Sequence, residues 1–304
     1  MKYFLLFLFI SNQCFCQNPV DKTEIITIGG IKQYVRIKGK DDSKPILLFL
    51  HGGPGSSVMG QADQMTGKLQ QQFVVVHWDQ RETGETLRLN KSSQPLTLDL
   101  FYNDTHDLID SLLKRFQRPK LYLAGYSWGS VPGFYIADKY PGLLYAYIAI
   151  SPVINQWESE RMALDMLKEK MGKKAQKELT QVTIPFENAE QLYYHRKWLF
   201  NADGKRFATL GFVKGWGNTW FSVWKASCDI NLFKSLPAIN CPVYFFAGGK
   251  DYQTNHAIAR DYFDTLTAPK KDFFLFEKSG HGLPETDPGL FQDIIIEKIL
   301  PETF

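Results

Sequence analysis

Residues 123–131 read LAGYSWGSV, with Ser127 between Gly125 and Gly129. An apolar run precedes this stretch and a helix-compatible segment follows it. A G-x-S-x-G pattern in that context fits a sharp strand-to-helix turn that exposes the serine Oγ. The two glycines let neighbouring backbone approach where a Cβ would clash. The following helix then points its N-terminus at the place where negative charge would develop. The same residues also suit an ordinary serine in a turn, so the reading depends on what else the chain can bring to Ser127.

A serine hydroxyl attacks only when a base takes its proton. With this turn the chain order is serine, then acid, then histidine. KSGHGLPE (278–285) supplies His281 in a glycine-flanked loop directly after a strand pattern. His51 and His77 end strand patterns before the serine, and His106 falls in a helical one. His195 lies in a helical middle segment and His256 starts a helix, so structural or surface roles suit these five. VYFFAGGKD (243–251) delivers Asp251 at the mouth of an apolar run, where a carboxylate would orient the imidazole without taking its proton. Asp229 precedes that strand pattern and Asp272 begins the next, so neither is placed to do this. Upstream, HGGPG (51–55) lacks the G-K-[ST] ending of a phosphate-binding loop. Its backbone N–H groups, Gly53 among them, could instead hold an oxyanion together with the N–H of Trp128.

Around these residues the pattern alternates between strand and helix. TEIITI (23–28) and KQYVRIK (32–38) flank Gly29 and Gly30 in a hairpin-like turn. KPILLFL (44–50), QFVVVHWD (72–79), KLYLAGYS (120–127) and LLYAYIAISP (143–152) are apolar runs suited to strands covered on both faces. Leu98, Phe101, Leu108, Leu112 and Phe116 recur at helical spacing after Thr97, a candidate N-cap. Residues 153–237 break the rhythm with helical, partly charged stretches carrying Trp157, Trp198, Trp216, Trp220 and Trp224. It resumes at 241–251 and 271–281, and an amphipathic helix around 288–300 closes the chain. The expectation is an α/β fold: a mostly parallel sheet with helices on both faces, interrupted by one helical insertion.

The 304 residues are 44% hydrophobic, enough for a large core, and 35 basic side chains nearly balance 32 acidic ones. No basic run or stripe is present, which excludes nucleic acid as an expected partner. The six histidines form no H-E-x-x-H, and two cysteines beyond the leader are too few for a zinc knuckle, so neither metal nor cofactor is expected. Residues 1–16 have a signal-peptide layout: a lysine, an apolar run from Tyr3 to Ile10, then Cys14 and Cys16 before a cleavage site. That run is shorter than the roughly 20 residues a membrane span needs, so export without a lasting membrane anchor is expected, to the periplasm or outside. Cys228 and Cys241 would then remain, either as one disulfide or as two buried thiols.

HGGPG (51–55), WDQRETGET (78–86), GYSWGS (125–130), Asp251 and SGHG (279–282) together resemble the α/β-hydrolase fold family, and within it the proline iminopeptidase group of serine hydrolases. The similarity implies a core at 17–152 and 238–304, with a helical cap at 153–237. It implies Ser127, Asp251 and His281 as a triad, with Gly53 and Trp128 as oxyanion donors. It also implies a small-molecule or short-peptide substrate, cleaved by an aminopeptidase or, alternatively, an esterase or amidase of small apolar acyl compounds. A catalytically silent binder on the same fold is disfavoured, having no chemical need for all three groups. Two positions depart from the family pattern: Glu82 replaces a glycine after DQR, and Tyr126 replaces the glycine that usually precedes the serine. The cap acids Glu158, Glu160, Glu187 and Glu190 match no family motif for binding an amino group, and solvated helix faces account for each.

Overall fold

The computed structural model describes residues 18–304, so the leader expected at 1–16 lies outside it. The strands are β1 (Val20–Ile28), β2 (Ile31–Gly39), β3 (Ile46–Leu50), β4 (Val74–Asp79), β5 (Leu121–Tyr126), β6 (Leu144–Ile150), β7 (Val243–Gly248) and β8 (Lys271–Phe276). They form one sheet in the order β1-β2-β4-β3-β5-β6-β7-β8. The β1–β2 hairpin joins β4 antiparallel, and all pairs from β4 to β8 are parallel.

The apolar runs become the central strands because both sides of each are covered. In β3, Leu48 and Leu50 pack on one face with Leu108 and Leu112 of the Leu98–Phe116 helix and Phe134 of the Ser130–Lys139 helix. Leu47 and Phe49 pack on the other with Phe291, Ile295 and Ile299 near the C-terminus. Thr97 does occupy the N-cap position of its helix, but its side chain makes no capping bond.

Between β6 and β7 the chain runs through helices Gln156–Lys170, Lys173–Leu179, Ala189–Ala202 and Leu210–Cys228. These share an apolar cluster that includes Leu164, Leu199, Trp220 and Trp224 and reaches down to Phe101 and Trp128 of the sheet layer. Cys228 belongs to this cluster and Cys241 to the sheet core; both are buried free thiols, with no disulfide between them.

Glu160 corrects the expectation of a solvated helix face. It is fully buried, and both its oxygens accept from the Arg196 guanidinium on the neighbouring Ala189–Ala202 helix. Its position explains why: Glu160 lies on the inward stripe of its helix, four residues from both Gln156 and Leu164, all three buried. Burial alone would raise its pKa, but Arg196 outweighs that and holds the carboxyl below its ordinary value. Glu158 and Glu190 do sit on half-exposed faces, paired with Arg161 and Lys214, and Glu187 is exposed.

Removing one partner of a buried ion pair leaves the other uncompensated, at a cost of about 3–5 kcal/mol. Glu160→Gln should lower stability by an amount of that order in urea unfolding at neutral pH. Because the folded pKa of Glu160 is depressed, its stabilisation is present above the unfolded carboxylate pKa. It is lost as pH falls through the folded value, so wild type and variant should converge in acid.

Candidate active site

β5 runs directly into a helical turn at Ser127–Gly129 and then into the Ser130–Lys139 helix. To make that turn Ser127 takes φ +53°, in the left-handed region that a non-glycine residue enters only at a cost. Both flanking glycines are set by close approach. A Cβ on Gly129 would lie 2.3 Å from the Leu50 carbonyl oxygen, and one on Gly125 2.8 Å from the Gly129 oxygen. The turn is therefore wedged against the end of β3, and Ser127 Oγ is presented outward.

Asp251 and His281 meet because the loops after β7 and β8 are laced together. Gly249 N–H donates to Phe276 O and Lys250 N–H to Ser279 O, each at 2.9 Å. A Cβ on Gly248 would sit 2.2 Å from Gly280 O, so only glycine allows this approach. His281 Nδ1–H donates to Asp251 Oδ2 at 2.9 Å, which leaves Nε2 to accept from Ser127 Oγ at 2.8 Å. Asp251 is buried, and its other oxygen accepts from the N–H groups of Gln253 (2.9 Å) and Thr254 (3.0 Å). Burial opposes ionisation of Asp251, but His281 and the Thr254 donors outweigh it and keep the pKa below its ordinary value.

The other histidines stand apart from Ser127. His51 bonds Gly52 O and Gln80 N–H, while His77 bonds Thr66 and is pushed down to about 3 by burial. His195 is buried beside Glu160 and lowered to about 4, again chiefly by burial. Asp229 accepts from the Trp157 indole and Asp272 pairs with Lys298, so neither approaches the imidazole.

Above Ser127 lies a cavity of about 400 Å³, with Gly53, Trp128 and His281 among its lining. Gly53 takes φ +117°, which fits HGGPG to its tight turn. A Cβ on Gly52 would come within 2.9 Å of Ser127 Cβ, so this loop borders the serine directly. Trp128 follows Ser127 in the first turn, where backbone N–H groups lack intrahelical acceptors. The insertion rests on the loop: Trp216 Nε1 donates to Pro54 O at 3.0 Å, and Trp220 covers Gly55 so closely that a Cβ there would be 2.6 Å from the indole.

The two departures from the family pattern acquire physical content. Glu82 has φ +58°, the conformation glycine adopts freely, and its carboxylate is tied to the Ser92 N–H. Tyr126 is buried, and its hydroxyl donates toward His281 O at 3.3 Å and Glu285 Oε2 at 3.4 Å.

The sequence reading passed over Gln156. Its Nε2 donates to Glu160 Oε1 and to Gln253 O, both at 2.7 Å. Two acceptors fix the orientation of the amide, and Oε1 is buried with no donor among the described residues. The buried ion pair of the insertion is thus bonded to the loop that holds Asp251. Its position in the apolar stripe of a helix was the only hint, and that stripe ordinarily carries core residues.

The sequence profile described as the alpha/beta hydrolase fold matches residues 45–288. The chain belongs to the α/β-hydrolase family. The hydrolase is 31% identical over 297 residues to "Probable aminopeptidase YbaC" of Bacillus subtilis (strain 168), covering 89% of this chain and 93% of that one. It is 25% identical over 272 residues to a proline iminopeptidase of Lactobacillus helveticus (strain DPC 4571), covering 83% of this chain and 88% of that protein. The crystal structure of a Mycobacterium smegmatis proline iminopeptidase superposes with a TM-score of 0.66 at 17% identity, covering 93% of this chain and 99% of the other. At that identity the likeness concerns the fold. With peptidases among its relatives, the chain is an α/β-hydrolase that resembles the proline iminopeptidase group.

Gln156→Leu should remove the donor to Gln253 O while keeping side-chain bulk. The expected outcome is a fall of about tenfold in kcat, the worth of one hydrogen bond, with KM little changed. An unchanged kcat would mean that the Asp251 loop holds its geometry unaided.

Proposed function

We propose that this protein is an exported serine hydrolase that works through an acyl-enzyme, and that its substrates are short peptides or small amides with a free amino terminus. The observation that carries the reading is the unbroken hydrogen-bonded path from Ser127 Oγ through His281 to the buried, ionised Asp251. Ser127 Oγ attacks the carbonyl carbon while His281 Nε2 takes its proton. Asp251 stabilises the resulting imidazolium and remains a carboxylate. The N–H groups of Gly53 and Trp128 receive the tetrahedral oxyanion. His281 then protonates the departing amine, and water enters to repeat the sequence and release the acid. The signal-peptide layout of residues 1–16 supports export. Relatives named as an aminopeptidase and a proline iminopeptidase support the choice of substrate.

One observation favours a second reading, an esterase or amidase of small apolar acyl compounds. The cavity wall contributed by the insertion is mainly apolar, with Leu192, Phe200, Phe207, Phe212 and Trp216. Its one charged member there is Arg196, already engaged by Glu160.

A fluorophosphonate probe should label Ser127 in the folded protein and not its Ser127→Ala variant. A folded wild type that stays unlabelled would defeat the serine-hydrolase reading. Asp251→Asn should keep the fold and lower kcat by about 10⁴-fold, since the imidazole loses the partner that fixes its tautomer. Prolyl and alanyl arylamides should be cleaved in preference to short-chain aryl esters; turnover of esters alone would select the second reading.

A further inference from the structure

Among the described residues the cavity above Ser127 is lined by one carboxylate, that of Glu285, and it comes from the sheet layer rather than from the insertion. Glu285 lies in the short helix Leu283–Thr286, four residues beyond His281. Its Oε2 faces the Tyr126 hydroxyl at 3.4 Å, a long contact that leaves the group only weakly held. A Cβ on Gly282 would sit 3.1 Å from the same oxygen, so the chain passes close beneath it without filling the space. Among the described residues no lysine or arginine forms an ion pair with Glu285.

The contrast with Glu160 is informative. Both acids are withdrawn from water, but Glu160 has Arg196 against both oxygens and is held below its ordinary pKa. Burial pushes Glu285 up instead. A half-buried carboxylate bordering a substrate cavity, with no cation of its own, is relieved by a cation that arrives with the ligand. Its place limits which cation. Tyr126 immediately precedes Ser127 and Gly282 immediately follows His281, so Glu285 is anchored to the neighbours of both reacting side chains. An amine bonded to the carbon next to the attacked carbonyl is the cation that must lie so near the serine. Lysine-like or arginine-like charges would sit several bonds further out.

We infer that Glu285, steadied by the Tyr126 hydroxyl, is the group that holds the α-ammonium of the substrate's first residue, and that this hydrolase reads the free amino end from the sheet side of the cavity. The apolar wall of the insertion is then left to receive the first side chain. This inference rests on the serine-hydrolase reading and refines its substrate class. It also accounts for Tyr126: a glycine before Ser127 would offer no hydroxyl to the carboxylate.

The test compares alanyl p-nitroanilide with N-acetylalanyl p-nitroanilide, which has the same side chain and leaving group but no cation. Wild type should favour the free amine by about 100-fold or more in kcat/KM, as expected for a charge-assisted contact near the reacting centre. Glu285→Gln should bring that ratio close to one, and Glu285→Asp, which keeps the charge, should restore part of it. Wild type that cleaves both substrates equally, or a Glu285→Gln variant with the wild-type ratio, would overturn the inference. A wild-type ratio near one overturns the inference even if neither variant folds. Fluorophosphonate labelling of wild type reports separately on the parent reading. Labelled protein without a free-amine preference defeats the Glu285 assignment and the free-amino-terminus substrate but leaves the serine mechanism standing, and unlabelled folded protein defeats the serine mechanism itself.

Discussion

Parallel hydrogen bonding from β4 to β8 forces those strands to end on one edge of the sheet, and the site follows from that constraint. β3 delivers HGGPG to this edge, β5 the Ser127 turn, β7 Asp251 and β8 His281. Proximity at the edge is not yet alignment. Alignment comes from backbone contacts that admit only glycine: Gly129 on the end of β3, and Gly248 on the loop that carries His281. A side chain at either position would push apart the groups that must lie within hydrogen-bond distance.

The insertion does more than roof the cavity. Its Leu210–Cys228 helix presses Trp216 and Trp220 onto the HGGPG loop, and its Gln156–Lys170 helix bonds the Asp251 loop through Gln156. Both ends of the proposed machinery are therefore braced by the same four helices. The Glu160–Arg196 pair gives that brace a fixed internal geometry, because two opposite charges buried together tolerate little displacement. Charge in the cavity is then divided: Arg196 is neutralised within the insertion, while Glu285 on the sheet side forms no ion pair with a lysine or arginine among the described residues.

The meeting of Ser127, Asp251 and His281 was legible in the sequence because each carries a local signature: a strand pattern followed by a glycine-bearing turn and one hydroxyl or titratable side chain. That regularity fixes chain order and sheet edge before any contact is known. Glu160 and Gln156 were not legible. A polar residue on an inward stripe gives the same local signal as one on a solvated face until its partner is found. Here the partner, Arg196, is 36 residues away on another helix. Glu285 stood in plain sight after the histidine, but nothing local reveals whether a carboxylate is paired.

The sequence by itself determined the alternation of strands and helices, the long helical stretch between two of the strands, and the strand ends that carry Ser127, Asp251 and His281. These depend on periodicity and on turns, which are properties of neighbouring residues. Only the tertiary structure decided that Cys228 and Cys241 stay apart as thiols, that Glu160 is buried against Arg196, and that Glu285 borders the cavity without a lysine or arginine paired to it among the described residues. Each of those outcomes is set by which distant helix or loop packs alongside, and electrostatic pairing depends on distances in space rather than on separation along the chain.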